Sequence, residues 1–501
     1  MRNRRVLLLL FVFAVYCGFA GAAVEKAGSD KDFEERIKES LVYINVTANA
    51  YESFQPWKKS SVAEKRGYGC AVGEYEVLTT ASNVSDATFA KVRRPGQNEF
   101  ISADIKVVDF ESNLCLLKLD KESMDKPLVP LVFSEDYEKG ADVSSYQVTA
   151  GGHLTTGRGV LDRAEVNVST MSFGQFLDFV IAEASSNAGK ATLYCLGEKP
   201  IGIANWAAVD SKEVGLVPGV IINKFLKDAG DGEYKGFPSV GFSATKLIDP
   251  ATRRYLKMPE DLKDGIYVTK VFTLGTGSDV LKEGDSILSI DGHTLDAYGR
   301  FTHPVFDQIL YHHLISGHRA GDDIKLGVWR EGQKVELTAR AKNIDASDML
   351  VDYYEYGKQP EYIVVGGFVL QKLTRPYLKI WGDGWQGKAP PHLYHYYRDM
   401  AFNPTDERKD VVVLSFVMPA EINQGYHSLG RQVVSKINGT KIRRMSDIPK
   451  ALDASMMVKF HTIELEHDYP TVVIDRSKLE MSDRFIAKTY GVSKMANINY
   501  E

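Results

Sequence analysis

Short apolar runs separated by turn-forming residues occupy the chain from Phe33 to Lys227, and they restrict its fold more than any other feature. The predicted strands include Leu41–Thr47, Gly69–Thr79, Ile105–Val108, Leu114–Leu119 and Ile201–Ala204. Gly, Asn and Asp residues lie between them. Many short strands with frequent turn residues are typical of an all-β barrel or sandwich.

A different pattern follows Glu233–Gly236, which we interpret as a polar linker. The segment Asp279-Val-Leu-Lys-Glu-Gly-Asp-Ser-Ile-Leu-Ser-Ile-Asp-Gly292 predicts a turn, a strand and a second turn in close succession. Gly284 suits the first turn, Asp285 caps it, and the apolar residues of the strand face a core. A weaker copy lies in Gly366–Leu370, Val411–Phe416 and Gln432–Thr440. The repetition indicates two related modules.

Length and charge set the broad class. The chain has 501 residues, which is room for about three domains. The formal net charge of −5 gives no electrostatic reason to expect a nucleic-acid partner. Residues 1–22 have a basic start, an apolar run and a small-residue cleavage site, and they predict a cleaved export signal. A periplasmic or secreted protein without a stable membrane span is expected.

Cysteine and histidine usage gives no sign of a disulfide framework, a metal site or a cofactor. Cys70, Cys115 and Cys195 remain after the signal, and Cys70 and Cys115 lie in apolar strand-like runs that favour buried free thiols. A metal site among the five histidines between His293 and His318 would need fixed facing geometry and usually a carboxylate or cysteine partner, but His312 and His313 point to different sides of a predicted helix. We therefore predict no metal and no cofactor.

Three segments in the β-rich region have the spacing of a catalytic triad but not its side chains. They read Leu-Thr-Thr-Ala-Ser-Asn-Val at 78–84, Glu-Ser-Asn-Leu-Cys-Leu-Leu at 111–117 and Ser-Ser-Asn-Ala-Gly-Lys-Ala at 185–191. These segments resemble L-T-N-A-H-V-V, D-I-A-L-L and G-N-S-G-G-P of the Deg/HtrA family of trypsin-like serine proteases. The resemblance places Ser82 at the His position, Asn113 at the Asp position and Ala188 at the Ser position.

The resemblance implies a mainly β chain: a trypsin-like double β-barrel followed by two PDZ-like domains. The predicted boundaries are 1–22 for the signal, 30–228 for the protease-like domain, 233–345 for the PDZ domain and 355–497 for a divergent second one. The last third is most similar to the family branch with a long second PDZ domain. Trimers are expected from the resemblance alone.

The same resemblance directs attention to peptide binding in the first PDZ-like domain. In such domains a peptide C-terminus adds as a strand to a sheet edge, and backbone amides hold its carboxylate. The loop Tyr255, Leu256, Lys257 and Met258 is similar to the family's carboxylate loop, and Ile266, Tyr267 and Val268 are the expected receiving strand. A similar Tyr377-Leu378-Lys379-Ile380 lies in the second domain. In either domain the alternative is a groove filled by the protein's own chain.

Without a nucleophile, an imidazole or an orienting carboxylate, triad chemistry is not available. We expect an inactive exported pseudoprotease that binds protein or peptide as a scaffold, chaperone-like holder or regulator. The alternative is an active serine endopeptidase with a rearranged site, in which Ser185 or Ser186 is a relocated nucleophile; a nucleophile at Cys195 would need His153 beside it. A third hypothesis is a structural exported protein whose grooves are closed. The sequence identifies no binding partner.

Overall fold

The computed structural model describes residues 32–185, 189–453, 458–467 and 469–500, and the following statements refer to these residues. The predicted export signal and Ala188 lie outside them. The described chain is mainly β, as predicted. No helix among the described residues is long and apolar enough to cross a bilayer.

The first closed barrel has six antiparallel strands in the order β1-β2-β3-β6-β5-β4. Alternation builds it: Val42 and Ile44 of β1 fill the barrel, whereas Leu41 and Tyr43 face the core between the two barrels. The strands are β1 (Leu41–Ala48), β2 (Ala63–Gly73), β3 (Glu76–Thr80), β4 (Ala87–Arg93), β5 (Ile101–Asp109) and β6 (Leu114–Leu119); residues 32–40 form helix α1 and Ala81–Val84 form α2.

The second closed barrel repeats this plan in the order β10-β11-β12-β9-β8-β7. Cys195 lies in the core between the barrels together with Tyr146 and Leu193. The elements are β7 (Asp142–Val148), β8 (Leu154–Val168), β9 (Gln175–Ala182), β10 (Leu193–Leu196), β11 (Lys199–Ala208), β12 (Glu213–Pro218) and helix α3 (Gly219–Gly230). The double barrel expected from the sequence is therefore present.

The first PDZ-like domain has a sheet in the order β13-β14-β15-β19-β20. The predicted turns are observed, because Gly284 and Gly292 have φ of 97° and 81° and Asp285 accepts a hydrogen bond from the Lys282 amide at 2.8 Å. The elements are β13 (Phe242–Lys246), α4 (Pro250–Tyr255), β14 (Ile266–Val271), β15 (Ser286–Ile290), β16 (His293–Thr294), β17 (Arg300–His303), β18 (Asp307–Leu310), α5 (His312–Gly317), β19 (Asp323–Arg330) and β20 (Gln333–Arg340).

The second PDZ-like domain has the same strand sequence with additions at one edge, in the order β27-β26-β24-β23-β22-β21-β28. Its elements are β21 (Tyr362–Val365), β22 (Phe368–Lys372), α6 (Arg375–Leu378), α7 (Trp385–Lys388), α8 (Pro391–Met400), β23 (Val412–Val417), β24 (Gln432–Ile437), β25 (Thr440–Lys441), α9 (Asp447–Asp453), β26 (Phe460–Leu465), β27 (Val472–Asp475), α10 (Arg476–Tyr490) and β28 (Ala496–Asn497).

The second PDZ-like domain packs against both the first barrel and the first PDZ-like domain. Phe54 stacks on Phe416 with ring centroids 4.5 Å apart. Phe402 packs against Phe173 of the second barrel and Phe272 of the first PDZ-like domain, each at 5.2 Å. These aromatic contacts bring three domains together at one junction.

Candidate functional site

Ser82 and Asn113, which the resemblance places at the His and Asp positions, lie in contact. The Ser82 amide donates a hydrogen bond to Asn113 Oδ1 at 2.8 Å, and the Ala81 amide donates to the Asn113 carbonyl at 3.0 Å. Ser82 Oγ lies 3.1 Å from Thr80 Oγ1, and both hydroxyls are buried. The segments at the His and Asp positions are thus juxtaposed, but the side chains present there supply neither an imidazole nor a carboxylate.

The third segment, residues 185–191, contacts the same cleft through Lys190. Ala188 itself lies outside the described residues. The Lys190 carbonyl accepts a hydrogen bond from the Tyr68 amide at 3.3 Å, and Lys190 lines a cleft together with Ser82. The structure therefore brings the end of this segment to the cleft without testing Ala188.

The cleft between the barrels is basic. It has a volume of about 370 Å³ and is lined by Lys65, Arg66, Ser82, Asn83, Ser85, Met171, Lys190 and Tyr356. None of these lining residues is a His, Cys, Asp or Glu. Tyr356 comes from the segment that enters the second PDZ-like domain, and its hydroxyl donates to the Met171 carbonyl at 3.2 Å. That segment therefore forms part of the wall of the cleft.

Two amide side chains, the buried Asn113 and the half-buried Asn205, connect Ser82 to the nearest carboxyl group of this hydrogen-bonded chain. Asn113 Nδ2 donates to Asn205 Oδ1 at 2.7 Å, and Asn205 Nδ2 lies 3.4 Å from Asp178 Oδ1. Asp178 also accepts from Trp206 Nε1 at 2.7 Å. Burial raises the pKa of Asp178 to about 6. The charge-bearing group is therefore separated from Ser82 by two amide side chains.

The relocated nucleophile and base proposed from the sequence are not brought together. Cys195 lies in the core between the barrels, with Cys70 beside it. Burial raises the pKa of both thiols, and that of Cys70 to about 12. His153 is exposed and is not among the residues lining the cleft. Ser185 Oγ hydrogen-bonds the Arg158 backbone, as a turn residue does. Ser186 lies outside the described residues.

The cysteines and histidines give no metal site in the described part of the chain. Cys70, Cys115 and Cys195 are buried free thiols. No group of three or more His, Cys, Asp or Glu residues there has metal-binding geometry.

The peptide-receiving strand of the first PDZ-like domain needs a correction. Ile266, Tyr267 and Val268 lie in β14, which pairs with β13 on one side, and at Ile266 and Tyr267 with β15 on the other. A strand with neighbours on both sides offers no free backbone edge to a peptide. Tyr255, Leu256, Lys257 and Met258 lie at the end of α4, where the Leu256 carbonyl accepts from Trp329 Nε1. That loop lies in the connection from β13 to β14.

The free edge belongs to β13 instead. β13 is the end strand of its sheet, and Ser243 and Thr245 are exposed on it. It follows Val240-Gly241, and a Cβ at Gly241 would lie 2.7 Å from the Thr276 carbonyl oxygen, so only glycine fits there. The signal for this site was Gly241-Phe242, which repeats as Gly367-Phe368 in the second domain.

A pocket of about 450 Å³ opens at the start of β13. Its walls come from the loop before β13, from α5, from the second barrel and from the second PDZ-like domain. Polar side chains that line it include Ser239, Ser243, His312, Arg375 and Arg398. The apolar part is formed by aromatic rings such as Phe242 and Phe402.

The second PDZ-like domain has closed the equivalent edge with its own chain. β22 corresponds to β13 in strand order, and β21 pairs with it over Tyr362–Val365. β28 then pairs with β21 at Tyr362 and Ile363. Tyr377 and Leu378 are fully buried in the same domain. The alternative of a self-filled groove therefore holds for the second domain.

Comparisons with known proteins agree with this architecture. A family profile described as "PDZ domain" matches residues 351–497. The chain is 29% identical over 463 residues to "Protease Do-like 2, chloroplastic" of Arabidopsis thaliana, covering 90% of this chain and 74% of that protein. It is 26% identical over 451 residues to "Putative protease Do-like 3, mitochondrial" of the same plant, covering 85% and 76%.

Among solved structures, the "HtrA-type protease AlgW with decapeptide" is 18% identical to this chain. The match covers 62% of this chain and 98% of that one, with a TM-score of 0.47.

Proposed function

We propose that the chain, which is similar along most of its length to Do-like proteases, is a catalytically inactive member of the Deg/HtrA family that binds protein or peptide C-termini. The observation that supports inactivity is the contact between Ser82 and Asn113 beside a cleft whose described lining residues include no His, Asp, Glu or Cys. A hydroxyl is a poor proton acceptor near neutral pH, and an amide does not stabilise an imidazolium.

A fluorophosphonate probe for serine hydrolases tests the inactivity of the purified full chain. We expect no labelled residue and no hydrolysis of casein, because the described residues that line the cleft include no imidazole and no carboxylate. Covalent labelling of any serine, located by peptide mass spectrometry, would contradict the proposal.

One contact in the cleft favours a second candidate, a rearranged serine hydrolase. Lys65 Nζ lies 2.5 Å from Ser85 Oγ and 2.5 Å from the Ser85 carbonyl oxygen. Burial lowers the pKa of Lys65, as a general base would need. If this pair were catalytic, the probe would label the wild-type chain but not Ser85→Ala or Lys65→Met. Lys65 binding the carbonyls that end α2 is the alternative role, and it predicts no labelling of any variant.

The binding role rests on the free edge of β13. In the second PDZ-like domain the corresponding edge accepts β21, so the fold accommodates an added strand at this position. We propose that a peptide adds to β13 with its C-terminus at the pocket beside Val240-Gly241.

Fluorescence anisotropy with labelled decapeptides ending in Val or Phe tests this site on the full chain. Ser243→Trp, which places bulk at the pocket, is expected to weaken binding at least tenfold. Thr338→Trp is the matched control, since Thr338 is exposed on β20 at the opposite edge of the same sheet. Failure of all such peptides to bind at millimolar concentration would leave the structural role of the third hypothesis.

Export and assembly remain proposals from the sequence and the family. We propose that residues 1–22 direct export to the periplasm or outside the cell and are then removed. The names of the two Arabidopsis relatives assign those proteins to chloroplasts and mitochondria. Amino-terminal sequencing of the protein purified from its source tests removal of the signal, and light scattering tests assembly into a trimer. An intact Met1 would contradict the first proposal, and a monomer would contradict the second.

A further inference from the structure

A buried arginine without an acidic partner lines the pocket at the start of β13. Arg375 is 8% exposed, and its guanidinium donates only to backbone carbonyls: to Tyr353 and Met171 at 2.7 Å and to Ser172 at 3.4 Å. It also lies over the Tyr353 ring. No ion pair involves Arg375 within the described residues. A guanidinium has five N–H donors, so two of its donors stay available to a ligand.

The pocket around Arg375 is positively charged. None of its described lining residues is Asp or Glu, whereas Arg398 and His312 add nitrogen atoms. Arg398 is largely exposed, and its closest acidic contact is a long one, with Nε 3.9 Å from an Asp399 oxygen. His312 Nδ1 is buried without a hydrogen-bond partner in the described residues. Burying a charge is costly unless an opposite charge or hydrogen bonds compensate it.

The remaining polar wall consists of hydroxyl groups. Ser239 and Ser243 lie at the start of β13, and Ser316 lies on α5 across the pocket. Hydroxyls and a guanidinium fork are suited to a planar anion, which the fork binds through two parallel hydrogen bonds. The volume of about 450 Å³ is within the range of ligand pockets.

We propose that this pocket binds the free carboxylate of a peptide C-terminus lying on β13, with Arg375 and Arg398 of the second PDZ-like domain as its counter-charges. The proposal rests on the proposed peptide-binding function and adds to it the group that recognises the terminus. It also means that the binding site of the first PDZ-like domain is complete only when the second domain is docked.

Free-acid and C-terminal amide forms of the same labelled decapeptides, ending in Val or Phe, test the proposal on the full chain. We expect the acid to bind the wild type at least tenfold more tightly than the amide. Arg398→Gln should reduce the affinity for the acid at least threefold and leave that for the amide unchanged. Arg484→Gln is the matched control, since Arg484 is exposed on α10 of the same domain and does not line the pocket.

Arg375 holds three carbonyls, so its removal can unfold the junction; Arg375→Lys keeps the charge but not the fork. We expect this variant to lose the preference for the acid while retaining the far-ultraviolet circular dichroism of the wild type. Equal binding of acid and amide to the wild type would overturn the carboxylate site and leave the β13 groove intact. Absence of binding by either form would overturn the peptide function itself.

Millimolar inorganic phosphate tests whether the pocket binds a free anion instead of a peptide carboxylate. If phosphate stabilises the wild type but not Arg398→Gln against thermal unfolding, and neither peptide form binds, the pocket takes a free anion and the proposed peptide ligand is wrong. Displacement of the acid peptide by phosphate, without displacement of the amide, would support the shared anion site.

Discussion

At the residue scale, Asn113 connects two segments of the first barrel through hydrogen bonds. Its φ is 56°, in the left-handed region that Asn adopts more readily than most residues. Its side chain is 3% exposed and uses both ends, with the oxygen on the Ser82 amide and the nitrogen on Asn205. An amide satisfies this position because it both accepts and donates.

Asn113→Asp is expected to destabilise the protein by about 2–3 kcal/mol at pH 8, because a buried carboxylate would replace the donor to Asn205. Burial and the nearby Asp178 raise the pKa of the new acid above its unfolded value of about 3.9. The folded state then binds the proton more tightly, so the loss is absent below that unfolded value and grows as pH rises. Urea unfolding at pH 5 and pH 8 measures it.

Asn113→Ala is the control for this pH dependence. It removes both hydrogen bonds without adding a charge, so its cost should be similar at the two pH values. If Asn113→Asp also loses the same free energy at pH 5 and pH 8, the substituted carboxyl is not held in a buried environment and the description of this site is wrong.

At the scale of elements, the segment Asp352–Gly357 docks on the first barrel beside the cleft. Tyr354 and Tyr356 pack on Phe110 with ring centroids 5.3 and 4.5 Å apart, and the Gly357 amide donates to Asp86 Oδ1 at 2.8 Å. Beneath these rings, burial and the nearby Asp109 raise the pKa of Glu111 to about 8. A neutral carboxyl is therefore favoured where the segment docks.

Stability should depend on pH through Glu111. Unfolded Glu titrates near 4.3, so the folded state binds this proton more tightly, and its contribution is present in full below that value and lost as pH rises through about 8. We expect the free energy of unfolding to fall between pH 5 and 8 with a slope up to about 1.4 kcal/mol per unit. Glu111→Gln, neutral at every pH, should reduce the slope.

Guanidinium unfolding curves at several pH values, fitted for wild type and Glu111→Gln, provide the measurement. Glu39→Gln is a suitable control, because Glu39 pairs with Lys126 at the surface. An unchanged slope in Glu111→Gln would show that Glu111 is already ionised beneath the docked segment.

The accuracy with which the sequence predicts local structure also differs between elements. The alternating β1 and the Asp285–Gly292 turns follow from local patterns, and the structure confirms them. The prediction of the receiving strand is wrong because it follows from the resemblance of Tyr255–Met258 to the family's carboxylate loop, and a short motif does not show whether the next strand, Ile266–Val268, is central or at an edge. Only the pairing of β14 on both sides, which is long-range information, shows that β13 is the edge.

Contacts between domains could not be predicted from the sequence for the same reason, since they depend on long-range information. Tyr356 reaches a cleft whose other lining residues precede it by more than a hundred positions, and no spacing rule connects them. The sequence could indicate that Ser82 and Asn113 lie close together, because both lie at fixed places in short motifs. Arg375 was not, since its importance depends on which carbonyls surround it.

At the scale of the whole molecule, Phe402 connects three domains. It belongs to the second PDZ-like domain and contacts Phe173 of the second barrel and Phe272 of the first PDZ-like domain. Thr273 Oγ1 donates to the Phe402 carbonyl at 3.1 Å beside these rings. Because the same junction forms one wall of the 450 Å³ pocket, domain docking and ligand binding share these contacts.

Phe402→Ala is expected to loosen this junction, because it removes aromatic contacts worth about 0.5–1.5 kcal/mol each beyond the apolar area they bury. Phe402 is only partly buried and packs at the margin of the core of its own domain, so the domains should remain folded while the radius of gyration rises in small-angle X-ray scattering. Peptide binding should lose its preference for a free carboxylate, since Arg375 and Arg398 move away together with the second domain. Phe485→Ala on α10 is the control, because Phe485 is exposed and distant in sequence from the junction. A compact Phe402→Ala variant that still prefers the acid would show that docking does not depend on this ring.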